Sequence, residues 1–173
     1  MLVQSNMPKI LLVFYSRTGT TKKAAQFIGG KISCDIEEII DPADRSGAIG
    51  WLRCGREATL KTLPEINPIS KKPADYNLVI IGTPIWSYNM ASPVRTFLTQ
   101  NKDRFKKVAF FCTMGGSGSE RAFGDMETIC RQPPLATLAL LSGKVWGILK
   151  RDVTDKEQIS EIENFTEKII KPQ

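Results

Sequence analysis

The sequence contains no histidine, and its four cysteines show no C-x-x-C spacing. A zinc finger, a thioredoxin-type dithiol and a histidine-based catalytic triad each need one of these features, so the composition disfavours all three. Thiols scattered in this way are typical of a reducing compartment. We therefore expect Cys34, Cys54, Cys112 and Cys130 to be reduced and mostly buried.

Long apolar runs are missing as well. No stretch approaches the ~18 apolar residues of a membrane-spanning helix, and the first residues lack the charged and apolar regions of a signal peptide. These absences predict a soluble, cytoplasmic protein with no membrane span. The length of 173 residues suits one domain over 1–173, with its core at about 9–170, because no repeat or composition shift marks a second.

The chain is basic, with a net charge of +6 and a pI near 9.2. Its lysines and arginines are spread along the sequence and form few doublets, whereas a nucleic-acid surface gathers them in one patch. Nucleic-acid binding is therefore disfavoured. An acidic partner protein or an anionic cofactor explains the positive charge better.

Apolar runs alternate with helix-like stretches along the chain. The runs at 9–15, 76–82, 107–112 and 135–141 suit strands buried on both faces, and 35–40 suits an outer strand because its pattern alternates more. Helix-like patterns lie between them at 20–28, closed by two glycines, and at 47–63, 93–100, 119–130 and 154–170. This alternation predicts an α/β fold with a parallel sheet and helices on both faces.

Hydroxyl side chains follow the first predicted strand and open the first helix. A helix start carries unpaired N–H groups and partial positive charge, and a glycine lets an anion approach the backbone. A phosphate site explains this hydroxyl loop, although a helix cap with spare hydroxyls explains it too. The loop consists of Ser16, Arg17, Thr18, Gly19, Thr20 and Thr21.

Two further loops follow predicted strands at the same edge of the sheet, where ligands bind in open α/β folds. The aromatic loop should expose a tryptophan and a tyrosine to a flat partner, and the glycine loop offers backbone groups to a polar ring. Turn chemistry explains either loop alone, but three such loops together favour a ligand site. The aromatic loop is Thr83, Pro84, Ile85, Trp86, Ser87 and Tyr88; the glycine loop is Thr113, Met114, Gly115, Gly116, Ser117 and Gly118.

The hydroxyl loop resembles the phosphate signature [ST]-x-T-G-x-T of flavodoxins, and the segment 82–86 resembles their aromatic loop. The resemblance extends over about 9–170 and implies the short-chain, three-layer α/β/α form with five parallel strands in the order 2-1-3-4-5. It implies FMN, with its phosphate on the hydroxyl loop, its ring against Trp86 in the aromatic loop, and its pyrimidine edge on the glycine loop. Two features depart from the family's electron carriers: the chain is basic, and the glycine loop lacks their Tyr and Asp.

The resemblance implies a flavoprotein that transfers electrons to a redox partner protein or reduces a small acceptor such as a quinone. An NAD(P)H-dependent FMN reductase, a flavodoxin-like protoporphyrinogen dehydrogenase and a homodimer stay open. A non-redox anion-binding module is the remaining alternative. A receiver module is excluded, because the ends of the first and third strands lack its acidic residues.

The segment 41–73 is long for a connection between two strands and contains several prolines and glycines. We expect part of it to be an irregular and functional surface segment. Trp51 lies within it. A buried tryptophan needs no ligand to explain it, so we expect Trp51 in the core or an interface rather than in a ligand site.

Overall fold

The computed structural model describes residues 8–145 and 149–171. Its strands are β1 Ile10–Phe14, β2 Asp35–Glu38, β3 Leu78–Trp86, β4 Asn89–Met90, β5 Val108–Met114, β6 Thr137–Leu141, β7 Gly143–Val145 and β8 Leu149–Arg151. The central sheet has the parallel order β2-β1-β3-β5-β6, with β4 paired antiparallel to the end of β3. Counted over its parallel strands this is the predicted order 2-1-3-4-5, which is confirmed.

Helices cover both faces of the sheet. They are α1 Thr20–Lys31, α2 Gly47–Thr59, α3 Ser92–Asn101, α4 Ser119–Cys130 and α5 Lys156–Ile170. The buried side chains of α1 and α5 pack on one face, and those of α3 and α4 pack on the other. The predicted three-layer α/β/α arrangement is therefore confirmed.

Strand β1 shows why the apolar runs form the middle of the sheet. All five of its residues are buried. Leu11 and Val13 join the core under α3 and α4, whereas Leu12 and Phe14 join the core under α1 and α5. Because successive strand residues point to opposite faces, only a continuous apolar run can fill both cores.

The structure extends β3 beyond the predicted end of the strand. We expected a loop from residue 83 onward, but β3 continues to Trp86 and turns into β4. The parallel partner β5 pairs with β3 as far as Pro84, and β4 pairs with the rest. Most of the aromatic loop is therefore a β-hairpin, which holds its side chains more firmly than a free loop.

Helix boundaries differ from the sequence prediction by more than two residues at two places. Helix α1 runs through Gly29 and Gly30 to Lys31 instead of ending before them. A β-carbon at position 29 would lie 2.6 Å from Ile36 Cδ1. That glycine allows the close packing of α1 on β2. Helix α2 ends at Thr59, before the predicted end at residue 63, and irregular chain follows to residue 72, as expected for this segment.

Strands β7 and β8 pair antiparallel, and the sequence analysis did not predict either strand. Cys54, Cys112 and Cys130 are buried and Cys34 is half-buried, in agreement with the prediction. No helix within the described ranges is long and apolar enough to cross a membrane. Residues 1–7, on which the prediction of no leader rests, lie outside the described residues.

Candidate functional site

The carboxyl ends of β1, β3 and β5 border one cleft with a volume of about 470 Å³. This is the edge at which open α/β sheets bind their ligands, and the volume falls within the usual range for small-molecule sites. The cleft is lined by Arg17, Thr18, Thr20, Thr21, Trp51, Pro84, Ile85, Trp86, Thr113, Met114, Gly115, Ser142 and Gly143. The structure thus brings parts of all three predicted loops together.

The hydroxyl loop leads into α1 through Gly19, whose φ is +89°. Glycine adopts this backbone conformation without strain, and its N–H donates to Ser16 Oγ at 3.1 Å. No side chain caps α1, and no acidic residue lies in its first turn. The partial positive charge of the helix start is therefore not compensated by the described residues, which suits an anion.

A hydrogen bond between side chains joins the hydroxyl loop to the glycine loop. Thr21 Oγ1 and Thr113 Oγ1 lie 2.8 Å apart, and both residues are buried. The shared bond uses the hydrogen of one hydroxyl, so the other hydroxyl can still donate. Both residues line the cleft, where a polar ligand atom can accept this remaining hydrogen.

The β3–β4 hairpin carries Trp86 to the wall of the cleft. Trp86 pairs with Asn89, and the two residues between them have positive φ, +47° at Ser87 and +63° at Tyr88. Two successive positive φ values are typical of a type I′ turn and cost non-glycine residues on the order of 1 kcal/mol each. Asn89 Nδ2 donates to Ser87 O at 2.6 Å and supports the turn.

Two of the predicted ligand residues hold the loops in place. Thr83 Oγ1 accepts the Ala91 N–H at 3.0 Å and donates to Pro84 O at 2.9 Å, so its hydroxyl has partners within the hairpin. Gly118 has φ +108°, and a β-carbon there would lie 2.7 Å from Tyr88 Cα. Glycine at this position lets the glycine loop approach the hairpin.

Tyr15 and Arg45 contact Trp86. The rings of Tyr15 and Trp86 meet edge to face, with centroids 5.5 Å apart, and the Arg45 guanidinium lies 5.4 Å from the centre of the Trp86 ring. Both geometries are attractive. Burial raises the pKa of Tyr15 to about 12, so this hydroxyl is protonated at neutral pH.

Arg45 is held by a buried set of charges. Its side chain is 3% exposed, pairs with Asp41, and lies 2.8 Å from Glu57 Oε2; Arg53 pairs with the other oxygen of Glu57 at 2.8 Å. Burial alone would raise the pKa of Glu57, but the hydrogen bond from Arg53 and the ion pair with Arg45 outweigh it and lower that pKa. These ion pairs fix the guanidinium against Trp86.

The predicted ligand residues divide into those that line the cleft and those beside it. In the first group are Arg17, Thr18, Thr20, Thr21, Pro84, Ile85, Trp86, Thr113, Met114 and Gly115. Beside it lie Ser16, Gly19, Thr83, Ser87, Tyr88, Gly116, Ser117 and Gly118. Ser16 lines a neighbouring cavity of about 440 Å³, which also contains Arg17 and Thr18. Ligand contact by any of these residues stays a prediction.

The sequence analysis missed three cleft residues, Trp51, Ser142 and Gly143. We expected Trp51 in the core or an interface; the core is wrong, because the residue is 63% exposed on α2, and an interface stays a prediction. A signal for its position was present: the small residues Gly50, Cys54 and Ala58 recur every four positions and form the buried stripe of α2. Trp51 lies outside that stripe and faces the cleft.

Within the described part of the chain, no three His, Cys, Asp or Glu residues could hold a metal ion together. Of the cleft-lining side chains in that part, Arg17 alone carries a charge. The cleft therefore offers hydroxyl groups, backbone N–H groups and aromatic rings. Such a set binds and orients a ligand, and contains no carboxylate or imidazole for general acid–base catalysis.

Comparison with known proteins matches residues 9–160 to the flavodoxin family model. A flavoprotein in complex with FMN from Lactobacillus acidophilus superposes with a TM-score of 0.70 at 23% identity, over 92% of this chain and 99% of that one. A second structure, described as that of a flavoprotein from Bacteroides eggerthii, superposes with a TM-score of 0.72 at 25% identity, over 96% of this chain and 99% of that one. NAD(P)H dehydrogenase (quinone) 3 of Rhizobium meliloti is 30% identical over an alignment of 101 residues, and the match covers 54% of this chain and 44% of that protein.

Proposed function

The chain belongs to the flavodoxin family, and from this membership we propose that it binds FMN in the cleft and works as a redox protein. One observation carries the proposal. The cleft joins an uncapped helix start rich in hydroxyl groups to a tryptophan-bearing hairpin and a glycine-rich loop. The helix start suits the phosphate of FMN, the tryptophan suits its flat ring, and the glycine-rich loop suits the polar edge of that ring.

The hydroxyl loop fits the phosphate of this cofactor. Gly19 has open space around its Cα, with no atom within 4 Å of a built β-carbon, so an anion can approach the backbone there. Thr18 and Thr20 line the cleft beside it and supply hydroxyl donors, and Arg17 supplies positive charge. The loop has neither the G-x-x-x-x-G-K-[ST] nor the G-x-G-x-x-G pattern of diphosphate sites, which favours FMN over FAD.

Trp86 is the residue that we assign to the flavin ring. It is half-buried, its orientation is fixed by Tyr15 and Arg45, and the hairpin places it at the cleft. At the end of the neighbouring strand β5, Thr113, Met114 and Gly115 line the same cleft and offer a hydroxyl and backbone groups to the polar edge of the ring. Rigid surroundings of this kind reduce the entropy lost on binding.

When bound, FMN supplies the redox chemistry, because it takes up and passes on electrons singly or in pairs. The side chains of the cleft then bind the cofactor, orient it and exclude water from one side of its ring. No carboxylate or imidazole lines the described cleft. A proton that an acceptor takes up on two-electron reduction would therefore come from solvent rather than from a carboxyl or imidazole group of the cleft.

Reduction of a small flat acceptor, such as a quinone, is the activity that we favour. Trp51 leaves an aromatic side chain exposed on the wall of the cleft, where it can contact such a molecule. The relative named as an NAD(P)H dehydrogenase (quinone) supports this class of acceptor. Electron transfer to a protein is the second candidate, because the net charge of +6 suits an acidic partner.

Two measurements test the proposal. Mass analysis of flavin released from the purified protein, or titration of the apoprotein with FMN and FAD, should identify FMN. A protein that binds neither flavin, or that prefers FAD, would overturn the assignment. Stopped-flow oxidation of the chemically reduced protein by a water-soluble quinone and by an oxidised protein acceptor then distinguishes the two candidate activities.

A further inference from the structure

Helix α2 buries small residues and exposes large aliphatic ones, which is the reverse of the usual pattern. Surface helices normally bury their large apolar residues and expose polar ones. The buried residues of α2 are small, namely Gly50, Cys54 and Ala58. Its large aliphatic residues face outward, since Ile49 is 84% exposed and Leu52 is 63% exposed. The core does not account for these two side chains.

The apolar surface continues along the helix. Leu60, directly after α2, and Leu63 are also exposed by more than half. Residues 49, 52 and 60 share the outward side of a helix with 3.6 residues per turn. We call the outward residues Ile49, Leu52, Arg53, Arg56 and Leu60 the α2 surface. Several neighbouring exposed apolar side chains mark an interaction site more often than a single one does.

Positive charge is interleaved with these apolar residues. Arg53 follows Ile49 by four positions and Arg56 follows Leu52 by four, so each arginine neighbours an aliphatic side chain on the helix. The acidic residue of the helix, Glu57, is largely buried and pairs with both Arg45 and the half-exposed Arg53. The α2 surface therefore combines aliphatic groups with two arginines, of which Arg53 shares Glu57 with Arg45.

We propose that the α2 surface docks on an anionic lipid surface. Helices that lie in the headgroup region combine apolar residues with arginine or lysine, and anionic lipids attract the cations. A second copy fits less well, because the same surface of another copy would bring two more arginines and no carboxylate to this one.

Docking would bring the cleft near the lipid. Trp51 lies on the same helix and lines the cleft, so the acceptor site borders the docked surface. Apolar acceptors such as quinones dissolve in bilayers and would then reach the cleft from a concentrated source. Only this consequence rests on the proposed function, since lipid docking itself needs no flavin.

Vesicle flotation of the full-length protein, with and without FMN, tests the proposal. We expect binding to an equal mixture of phosphatidylcholine and phosphatidylglycerol, no binding to phosphatidylcholine alone, and weaker binding as salt rises. The double variant Ile49→Ser/Leu52→Ser should reduce vesicle affinity at least tenfold. Arg56→Gln should reduce it about fivefold, as expected for one basic residue near an anionic surface.

Matched controls carry the same substitutions on other helices. Ile170→Ser on α5 and Arg121→Gln on α4 change exposed residues, and vesicle affinity should stay within twofold. Absence of vesicle binding, or equal losses in the controls, would overturn the proposal. A dimeric mass by light scattering that Ile49→Ser/Leu52→Ser converts to a monomer would assign the surface to a second copy instead. If the protein binds these vesicles but does not bind FMN, the proposed function alone is contradicted.

Discussion

The guanidinium of Arg45 lies over the ring of Trp86, 5.4 Å from its centre, although the two residues are far apart in sequence. Arg45 comes from the segment between β2 and α2, and Trp86 ends β3. The contact therefore ties the long connection 41–73 to the hairpin at the cleft. Because Asp41 and Glu57 hold the guanidinium, the segment supports the site through a residue that does not line the cleft.

Replacement of Arg45 by methionine should strongly destabilise the fold. The change leaves Asp41 without its cation in a buried position, and loss of one partner of a buried pair costs about 3 kcal/mol. Chemical denaturation at pH 7 would measure it. Arg53→Met is the matched control, since Arg53 also pairs with Glu57 but is half-exposed, and should cost less than about 1 kcal/mol. Equal losses of stability in the two variants would contradict a buried ion pair between Arg45 and Asp41.

The effect of Arg45→Met should also depend on pH. The pKa of Glu57 is lowered in the folded protein, so its ion pairs stabilise the fold above the ordinary carboxyl pKa. This stabilisation disappears as the pH falls from the ordinary carboxyl pKa through the lowered value. Arg45→Met has already lost part of this stabilisation, so the free energies of unfolding of wild type and variant should approach each other as the pH falls. A constant difference over this range would argue against the pair.

Thr18→Val should weaken FMN binding at least tenfold. The hydroxyl is exposed at the cleft, and a hydrogen bond to a charged phosphate contributes about 1.5–3 kcal/mol. Titration of the apoprotein with FMN measures the change. Thr128→Val on α4 makes the same replacement away from the cleft and should leave the affinity within twofold. An unchanged affinity in Thr18→Val would remove this residue from the phosphate site.

The hydrogen bond between Thr21 and Thr113 should appear as coupling in a double-mutant cycle. Each single change to valine leaves a buried hydroxyl without its partner, and the double change removes both. The double variant should therefore lose less stability than the sum of the single variants, by about 1 kcal/mol. Additive losses in urea denaturation would show that the two hydroxyls do not form this bond in solution.

The sheet was predictable because its signal is local. The run 76–82 is apolar at every position from Leu78 to Ile81, a pattern typical of a strand covered on both faces. The parallel order followed once the family resemblance was added. Helix α4 is the clearest case, since its predicted bounds 119–130 agree with the structure. The hairpin after β3 was not predictable in this way, because Ser87 and Tyr88 lack the glycine or asparagine that normally marks a type I′ turn.

The site was predicted where it follows strand ends and missed where it depends on packing between distant segments. Strand ends are visible in the sequence, so the hydroxyl and glycine loops could be located. Trp51 and Arg45 were not assigned because their roles depend on how α2 lies against β3 and β4. Hydropathy places a tryptophan in the core by default, and only the stripe of small residues along α2 argues against it.

Gly82→Ala should destabilise the protein by about 2 kcal/mol or more. A β-carbon at this position would lie 2.1 Å from Cζ of the buried Phe111, so the ring must move within a closely packed core. Gly124→Ala is the matched control. It lies within α4 with no atom within 4 Å of a built β-carbon, and should stabilise the fold by about 0.5–1 kcal/mol. Thermal unfolding that moves both variants in the same direction would contradict this packing.

The two cleft tryptophans should separate cofactor binding from acceptor binding. Trp86→Ala removes the ring that we assign to the flavin, so FMN affinity should fall about tenfold from lost burial and stacking. Trp51→Ala removes an exposed ring on α2, so FMN affinity should stay within threefold, whereas the quinone concentration that half-saturates the oxidation rate should rise at least threefold. Apoprotein titration gives the affinities, and the oxidation rate of the chemically reduced protein at varied quinone concentrations gives the half-saturating concentration. If Trp51→Ala instead weakens FMN more than Trp86→Ala does, the flavin ring lies against α2, and the roles proposed for the two residues must be exchanged.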